Sequence, residues 1–174
     1  MRSAVVVVVP EAAPIVDELR LRHTHDAPLG MPAHVTVLFP FVPTARLDEA
    51  EEALGPLLRE HPAFDATFAQ TARFPGVLYL APDPAERFST LTHAVAAAWP
   101  EHPPYEGAHD TVIPHLTVGE SDDDAVLDAL AAEVEPQLPV RARVDAVSLF
   151  AEDVDGRWHA HRGVPLGRSG QGVA

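Results

Sequence analysis

Five consecutive valines, Val5 to Val9, end at Pro10. An unbroken β-branched run with no polar alternation predicts a strand buried on both faces, over residues 3–9. The apolar spacing then lengthens to that of a helix. Pro14 suits its first turn, and Ile15 and Leu19 fall on one face of a helix over residues 14–23. Residues 24–31 predict a loop, and residues 34–39 a strand. Across residues 44–60, Leu47, Ala50, Leu54, Leu57 and Leu58 form a helical stripe that Gly55-Pro56 should kink or divide. Phe64, Ala66 and Phe68 alternate with Asp65 and Thr67, the mark of a half-buried strand.

A second series follows the same order. Residues 76–81 predict a strand. Asp83 is placed to cap a helix with Pro84 at its first position and Phe88, Leu91 and Val95 facing inward. Residues 100–110 predict a long loop and residues 115–118 a strand. Ser121 and Asp124 resemble a capping box ahead of Val126, Leu127, Leu130 and Val134. One long strand is expected over residues 140–150, with residues 157–164 pairing back across a turn at Asp155-Gly156. Residues 167–174 are expected to fray. Each series runs strand, helix, strand, helix, strand, which points to an internal duplication. The expectation is one domain over residues 1–166, its lobes interleaved, with approximate halves 1–75 and 76–166. Packing about a pseudo-twofold axis would make the middle strands symmetry mates around a central cleft.

Those middle strands carry the chemistry. They read His34-Val35-Thr36-Val37 and His115-Leu116-Thr117-Val118. Residues two apart in a strand share a face, so each His–Thr pair points one way and the apolar residues point into the core. Histidine titrates near neutrality, so one ring can be neutral while the other is protonated. The first removes a proton from water; the second donates to a leaving oxygen. Threonine hydroxyls can hydrogen-bond the non-bridging oxygens of a phosphate as negative charge grows there. Two imidazoles and two hydroxyls therefore suit phosphodiester hydrolysis without a metal. His109-Asp110-Thr111 matches the spacing but lacks the apolar residues that would anchor a strand.

Charge narrows the partners. The formal net charge is −14, and every basic residue apart from histidine is arginine. A duplex binder gains affinity from a basic face, which this composition opposes. There is no cysteine, hence no disulfide, thiolate nucleophile or cysteine-held metal. The valine run is too short to span a bilayer, and acidic residues follow it closely, unlike a signal peptide. A cytoplasmic location is expected, with neither duplex DNA nor a membrane as partner.

The two His-x-Thr tetrads resemble the paired motifs of the 2H phosphoesterase superfamily, most closely its bacterial 2′-5′ RNA ligase-like, or cyclic phosphodiesterase, branch. The resemblance extends through the order of elements from Val5 to about Val164. It implies an α+β, bilobal, duplicated fold: two antiparallel-rich sheets flanked by helices around a central cleft with pseudo-twofold symmetry. It implies metal-independent action on 2′,3′-cyclic phosphates, often giving the 2′-phosphate, or on related 2′-5′ linkages, with no cofactor. By motif, His34 and His115 become the acid–base pair, and Thr36 and Thr117 the phosphate ligands. The expected partner is a small nucleotide or short RNA end carrying a cyclic phosphate, bound by a monomer. Many relatives carry a basic residue just after the second motif, whereas Gly119-Glu120 stands here. A carboxylate there would oppose an incoming phosphate if it faced the cleft.

Further residues are candidates for supporting roles. Phe39, Phe41 and Tyr79 are candidates to stack a base. Arg73, Arg141 and Arg143 are candidates for compensating charge, and Arg73 sits where a segment joining the lobes should lie. His23-x-His25 and His159-x-His161 have a spacing a metal could use, without nearby motifs to complete a ligand set. A non-catalytic module binding a nucleotide or phosphate ligand stays open, as do a 2′-5′ RNA ligase and a hydrolase of another small cyclic phosphodiester.

Overall fold

Val5, Val7 and Val9 enter one apolar core while Ala4 and Val6 enter another. The strand β1 (Ser3–Val8) is therefore buried on both faces, as its unbroken valine run requires. In this computed structural model, which describes residues 1–103 and 112–168, β1 is an inner strand. Its sheet is ordered β2 (His34–Leu38), β1, β7 (Ala146–Glu152) and β8 (Trp158–Pro165). A second sheet is ordered β5 (Leu116–Glu120), β4 (Val77–Asp83), β3 (Phe64–Phe74) and β6 (Val140–Val144). All neighbouring pairs are antiparallel. Among the described residues, four α-helices cover them: α1 (Ala13–His23), α2 (Leu47–Arg59), α3 (Ala85–Ala98) and α4 (Asp124–Val134). The fold is α+β with two antiparallel sheets and helices, as expected.

The two series exchange elements. Helix α1 packs on β5 of the second sheet, and α3 packs on β2 of the first. The β7–β8 hairpin, late in the chain, completes the sheet that β1 began. The exchange brings β2 and β5 into contact, and these carry or adjoin the two His-x-Thr motifs.

Several local expectations change. Helix α2 runs unbroken through Pro56. The carbonyl that loses its donor there belongs to Glu52, which is exposed, so water can serve it while Leu47, Ala50, Leu54 and Leu58 stay buried. Asp83 does not cap α3: it ends β4, and Pro84 stands at the cap with no side-chain bond. The cap of α4 is Asp123, whose carboxylate accepts the Ala125 N–H at 2.9 Å, while Ser121 Oγ accepts from Asp123 N–H. The single strand expected over residues 140–150 is two strands in different sheets, breaking at Asp145. Inward positions explain the break: Val140, Ala142 and Val144 are buried, then Val147 and Leu149, so the alternation slips by one residue.

The strand begun at Phe64 runs on to Phe74, so Arg73 and Phe74 lie in β3 and turn directly into β4. Gly76 takes φ +74° in that turn, a left-handed conformation that suits glycine. Gly167 is tied down rather than frayed: its N–H donates to the His61 carbonyl at 2.9 Å. Residues 104–111, including most of the long loop and His109-Asp110-Thr111, lie outside the described residues, as do residues 169–174. Among the described residues, no helix is long and apolar enough to cross a membrane.

Candidate active site

The register of the strands sets the site. Val8 and Val6 of β1 stand opposite His34 and Thr36 of β2, on the face of the sheet turned away from the main core. Across the interface, Tyr79 of β4 stands opposite Thr117 of β5, and His115 immediately precedes that strand. Val35 and Val37, like Leu116 and Val118, are buried beneath and hold each strand in place. The four motif residues, His34, Thr36, His115 and Thr117, line one cleft of about 260 Å³. Known ligand pockets run upward from roughly 300 Å³, so this cleft is small.

Both rings are anchored in the same way. His34 Nδ1 lies 2.8 Å from the Pro32 carbonyl, and His115 Nδ1 lies 2.7 Å from the Ile113 carbonyl. A carbonyl only accepts, so each Nδ1 carries the proton and donates. Nε2 is left on each ring for proton exchange with whatever fills the cleft. Burial pushes the His34 imidazolium down from its usual 6.5 to about 4; its bond to Pro32 opposes this, Arg20 deepens it, Asp26 relieves it and His115 deepens it again. Burial also lowers His115, with the Ile113 bond opposing. Phe74 and Tyr79 wall that ring: Phe74 meets it edge-on at 5.0 Å and Tyr79 at 5.5 Å, and the two aromatics stack on each other at 4.4 Å. Both histidines are thus neutral near pH 7. A bound phosphate anion would raise both pKa values and bring a proton in with it.

The walls are unequal. On the side of the first sheet, Phe39 and Trp158 meet edge-on at 5.9 Å and line the cleft. Arg2 lines it too, its guanidinium 5.4 Å from the Phe39 ring centre and doubly bonded to Glu152. His25, Asp26 and Glu120 also line the cleft. The Glu120 carboxylate accepts the His25 backbone N–H at 3.3 Å.

The family model described as the 2′-5′ RNA ligase superfamily matches residues 8–156. The chain belongs to that superfamily. No curated protein matches it. Among solved structures, it is similar to TT0787 of Thermus thermophilus, with TM-score 0.65 and 22% identity over 98% of this chain and 100% of that one. It is similar also to E. coli LigT, whose complex with 3′-AMP gives TM-score 0.62 and 18% identity over 95% of this chain and 97% of that one. The LigT complex with NADP+ gives TM-score 0.62 and 18% identity over 96% and 98% of the two chains. At such identities these likenesses speak for the superfamily fold.

Other candidates scatter within that fold. Phe41 is buried and packs on Trp99 at 5.1 Å, away from the cleft lining. Tyr79 is buried and backs His115 instead of lining the cleft. Arg73 pairs with Asp128 at 2.6 Å, and Arg143 with Asp65 at 3.0 Å. Neither arginine, nor exposed Arg141, is among the residues lining the cleft. The histidine pairs do not converge: His159 bonds Asp153 at 2.7 Å, whereas His161 meets Asp48 and Glu51. That trio is the one group of three whose geometry could hold a metal among the described residues, and it lies outside the cleft.

Sequence reasoning missed Trp158, Arg2 and Arg20. Trp158 gave no signal, since it opens a strand whose middle is exposed. Arg20 gave one: with Val16 and Leu19 it makes the buried face of α1, a cation on an apolar stripe.

Proposed function

We propose that this chain is a metal-independent phosphodiesterase that opens the 2′,3′-cyclic phosphate of small nucleotides or short RNA ends. The observation that carries the reading is the like anchoring of two histidines, one from each His-x-Thr motif, on a single cleft. One Nε2 removes a proton from water as the water oxygen bonds to phosphorus. The bond from phosphorus to O3′ breaks, and the other Nε2 delivers a proton to that oxygen, leaving the 2′-phosphate. Thr36 and Thr117 donate their hydroxyl protons to the non-bridging oxygens, where charge builds. Ring strain in the cyclic ester lowers the barrier such a lean site must overcome.

Small substrates suit the electrostatics. Glu120 and Asp26 on the cleft disfavour additional phosphates, and the net charge of −14 repels long polyanions. Nucleotide complexes of LigT are consistent with a nucleotide in this cleft. Phe39 and Trp158 offer the base an apolar, aromatic wall.

The test is incubation with each nucleoside 2′,3′-cyclic phosphate in EDTA, followed by phosphorus NMR. Conversion to a 2′-phosphomonoester supports the reading. Saturable binding without conversion would make the chain a ligand-binding module instead.

A further inference from the structure

Arg20 is the only charged side chain fully buried among the described residues, with 1% of its surface exposed. A buried charge is costly unless its hydrogen bonds are met, so its place needs a reason. Its bonds supply one. Nη1 donates to the Thr117 carbonyl at 2.6 Å. Nη2 donates to the Pro32 carbonyl at 3.3 Å and the Met31 carbonyl at 3.4 Å, and to both oxygens of Asp26 at 3.1 and 3.3 Å. Nε is buried without a partner, so the side chain is aimed by its two terminal nitrogens at the expense of the third.

Two of these carbonyls belong to the two halves of the site. Thr117 is the second motif's own threonine. The Pro32 carbonyl is also the acceptor of His34 Nδ1–H. One guanidinium thus ties the backbone of β5 to the carbonyl that orients the ring on β2. The close approach of α1 to β5 is built in: a Cβ at Gly119 would lie 3.1 Å from His23 Cβ.

We propose that Arg20 is the positioning residue of the two-histidine site: it fixes the spacing of the motifs and, through Pro32, the orientation of His34, with Asp26 as the counter-charge that aims it. The proposal rests on the cleft being the two-histidine site described above. Arg20 does not itself line the cleft; it acts on the site through the backbone. The charged and titratable groups around His34 are Arg20 from α1, Asp26 from the loop after it, and His115 ahead of β5, with Arg2, His25 and Glu120 elsewhere on the cleft.

The experiment follows the imidazole nitrogens of the whole protein by long-range proton–nitrogen NMR across a pH titration, with inorganic phosphate as the probe. Wild type is compared with Arg20→Met, Arg20→Lys and Asp26→Asn, with thermal unfolding alongside. In wild type, both rings are Nδ1–H tautomers and respond together to phosphate. Arg20→Met moves the His34 titration upward, because a repelling cation has gone, and uncouples the two phosphate responses. Asp26→Asn moves the His34 titration downward, and Arg20→Lys restores part of the wild-type behaviour. A merely structural arginine would leave the His34 tautomer and the joint phosphate response unchanged in a folded Arg20→Met protein. On a cyclic phosphate, Arg20→Met lowers kcat about 100-fold, the effect of ångström-scale misplacement, with little change in KM. A folded Arg20→Met protein with unchanged His34 tautomer, titration and phosphate response overturns the proposal. If that variant does not fold, an unchanged His34 titration in Asp26→Asn overturns it. Wild type without turnover, but with the His34 tautomer and the joint phosphate response lost in folded Arg20→Met, would remove the proposed activity and leave the positioning role standing.

Discussion

His34 and His115 are held by one device: each ring gives Nδ1–H to the carbonyl two residues before it, Pro32 at 2.8 Å and Ile113 at 2.7 Å. Each of these carbonyls lies just before its strand. Fixing the tautomer this way makes Nε2 the exchanging nitrogen on both rings, which is what a paired acid and base require.

The threonines separate binding from fold. Thr36→Val and Thr117→Val keep the branched shape a strand prefers and remove only the hydroxyl. Each variant is expected to lower kcat about 100-fold, the usual worth of a donor to developing charge. Thermal unfolding of both should match wild type. Steady-state kinetics beside a melting curve checks this.

Acidification tests the buried histidines. The unfolded chain takes a proton on His34 below its usual 6.5, and the folded ring resists until about pH 4. The unfolded state binds more protons in that window, so stability falls as pH is lowered through it. His115 acts in the same direction. Glu49 and Glu152, held below their usual 4.5 by bonds from Arg46 and Arg2, and Asp153, held down by His159, add their losses only at lower pH. Between about pH 6.5 and 4.5 the slope of Tm therefore belongs largely to histidine, and His34→Asn should flatten it. For the same reason, kcat/KM is expected to have its maximum on the acid side of neutrality.

Glu120 lines the cleft, so reversing its charge tests the proposed phosphate site. Glu120→Arg should improve kcat/KM on a dinucleotide ending in a cyclic phosphate, relative to a mononucleoside cyclic phosphate, by about fivefold, or ~1 kcal/mol for an exposed charge. The gain should fade in high salt. Competition between the two substrates reads it directly.

Gly119→Ala probes the approach of α1 to β5. The added methyl would lie 2.5 Å from Leu130 Cδ1 and 3.1 Å from His23 Cβ. Overpacking of this kind costs about 1–3 kcal/mol. Chemical denaturation should show the midpoint lowered and the m-value unchanged.

Much of this is legible in the sequence. The two tetrads announce the cleft because a polar pair on an apolar strand has few other uses when it occurs twice. The split of residues 140–150 was legible too, in the parity slip at Asp145, but polar–apolar alternation on both sides of it reads as one strand in a simple count. Pro56 misleads because helix-breaking depends on whether the orphaned carbonyl meets water, and exposure is a tertiary property. Phe41 and Tyr79 could not be told from Phe39 by type alone: all three are aromatics, and only packing puts Phe39 on the cleft. Arg20 and Trp158 reach the site from distant segments, so their contacts exist only once the halves have exchanged elements.

The central claim is that two histidines share one proton-transfer task, and the most direct test is turnover of a nucleoside 2′,3′-cyclic phosphate in EDTA by wild type, His34→Ala, His115→Ala and the double variant. Each folded single variant is expected to lose at least about 100-fold in kcat. The double variant should be little worse than either, because the residues act as a unit. Full activity in either folded single variant would contradict the claim.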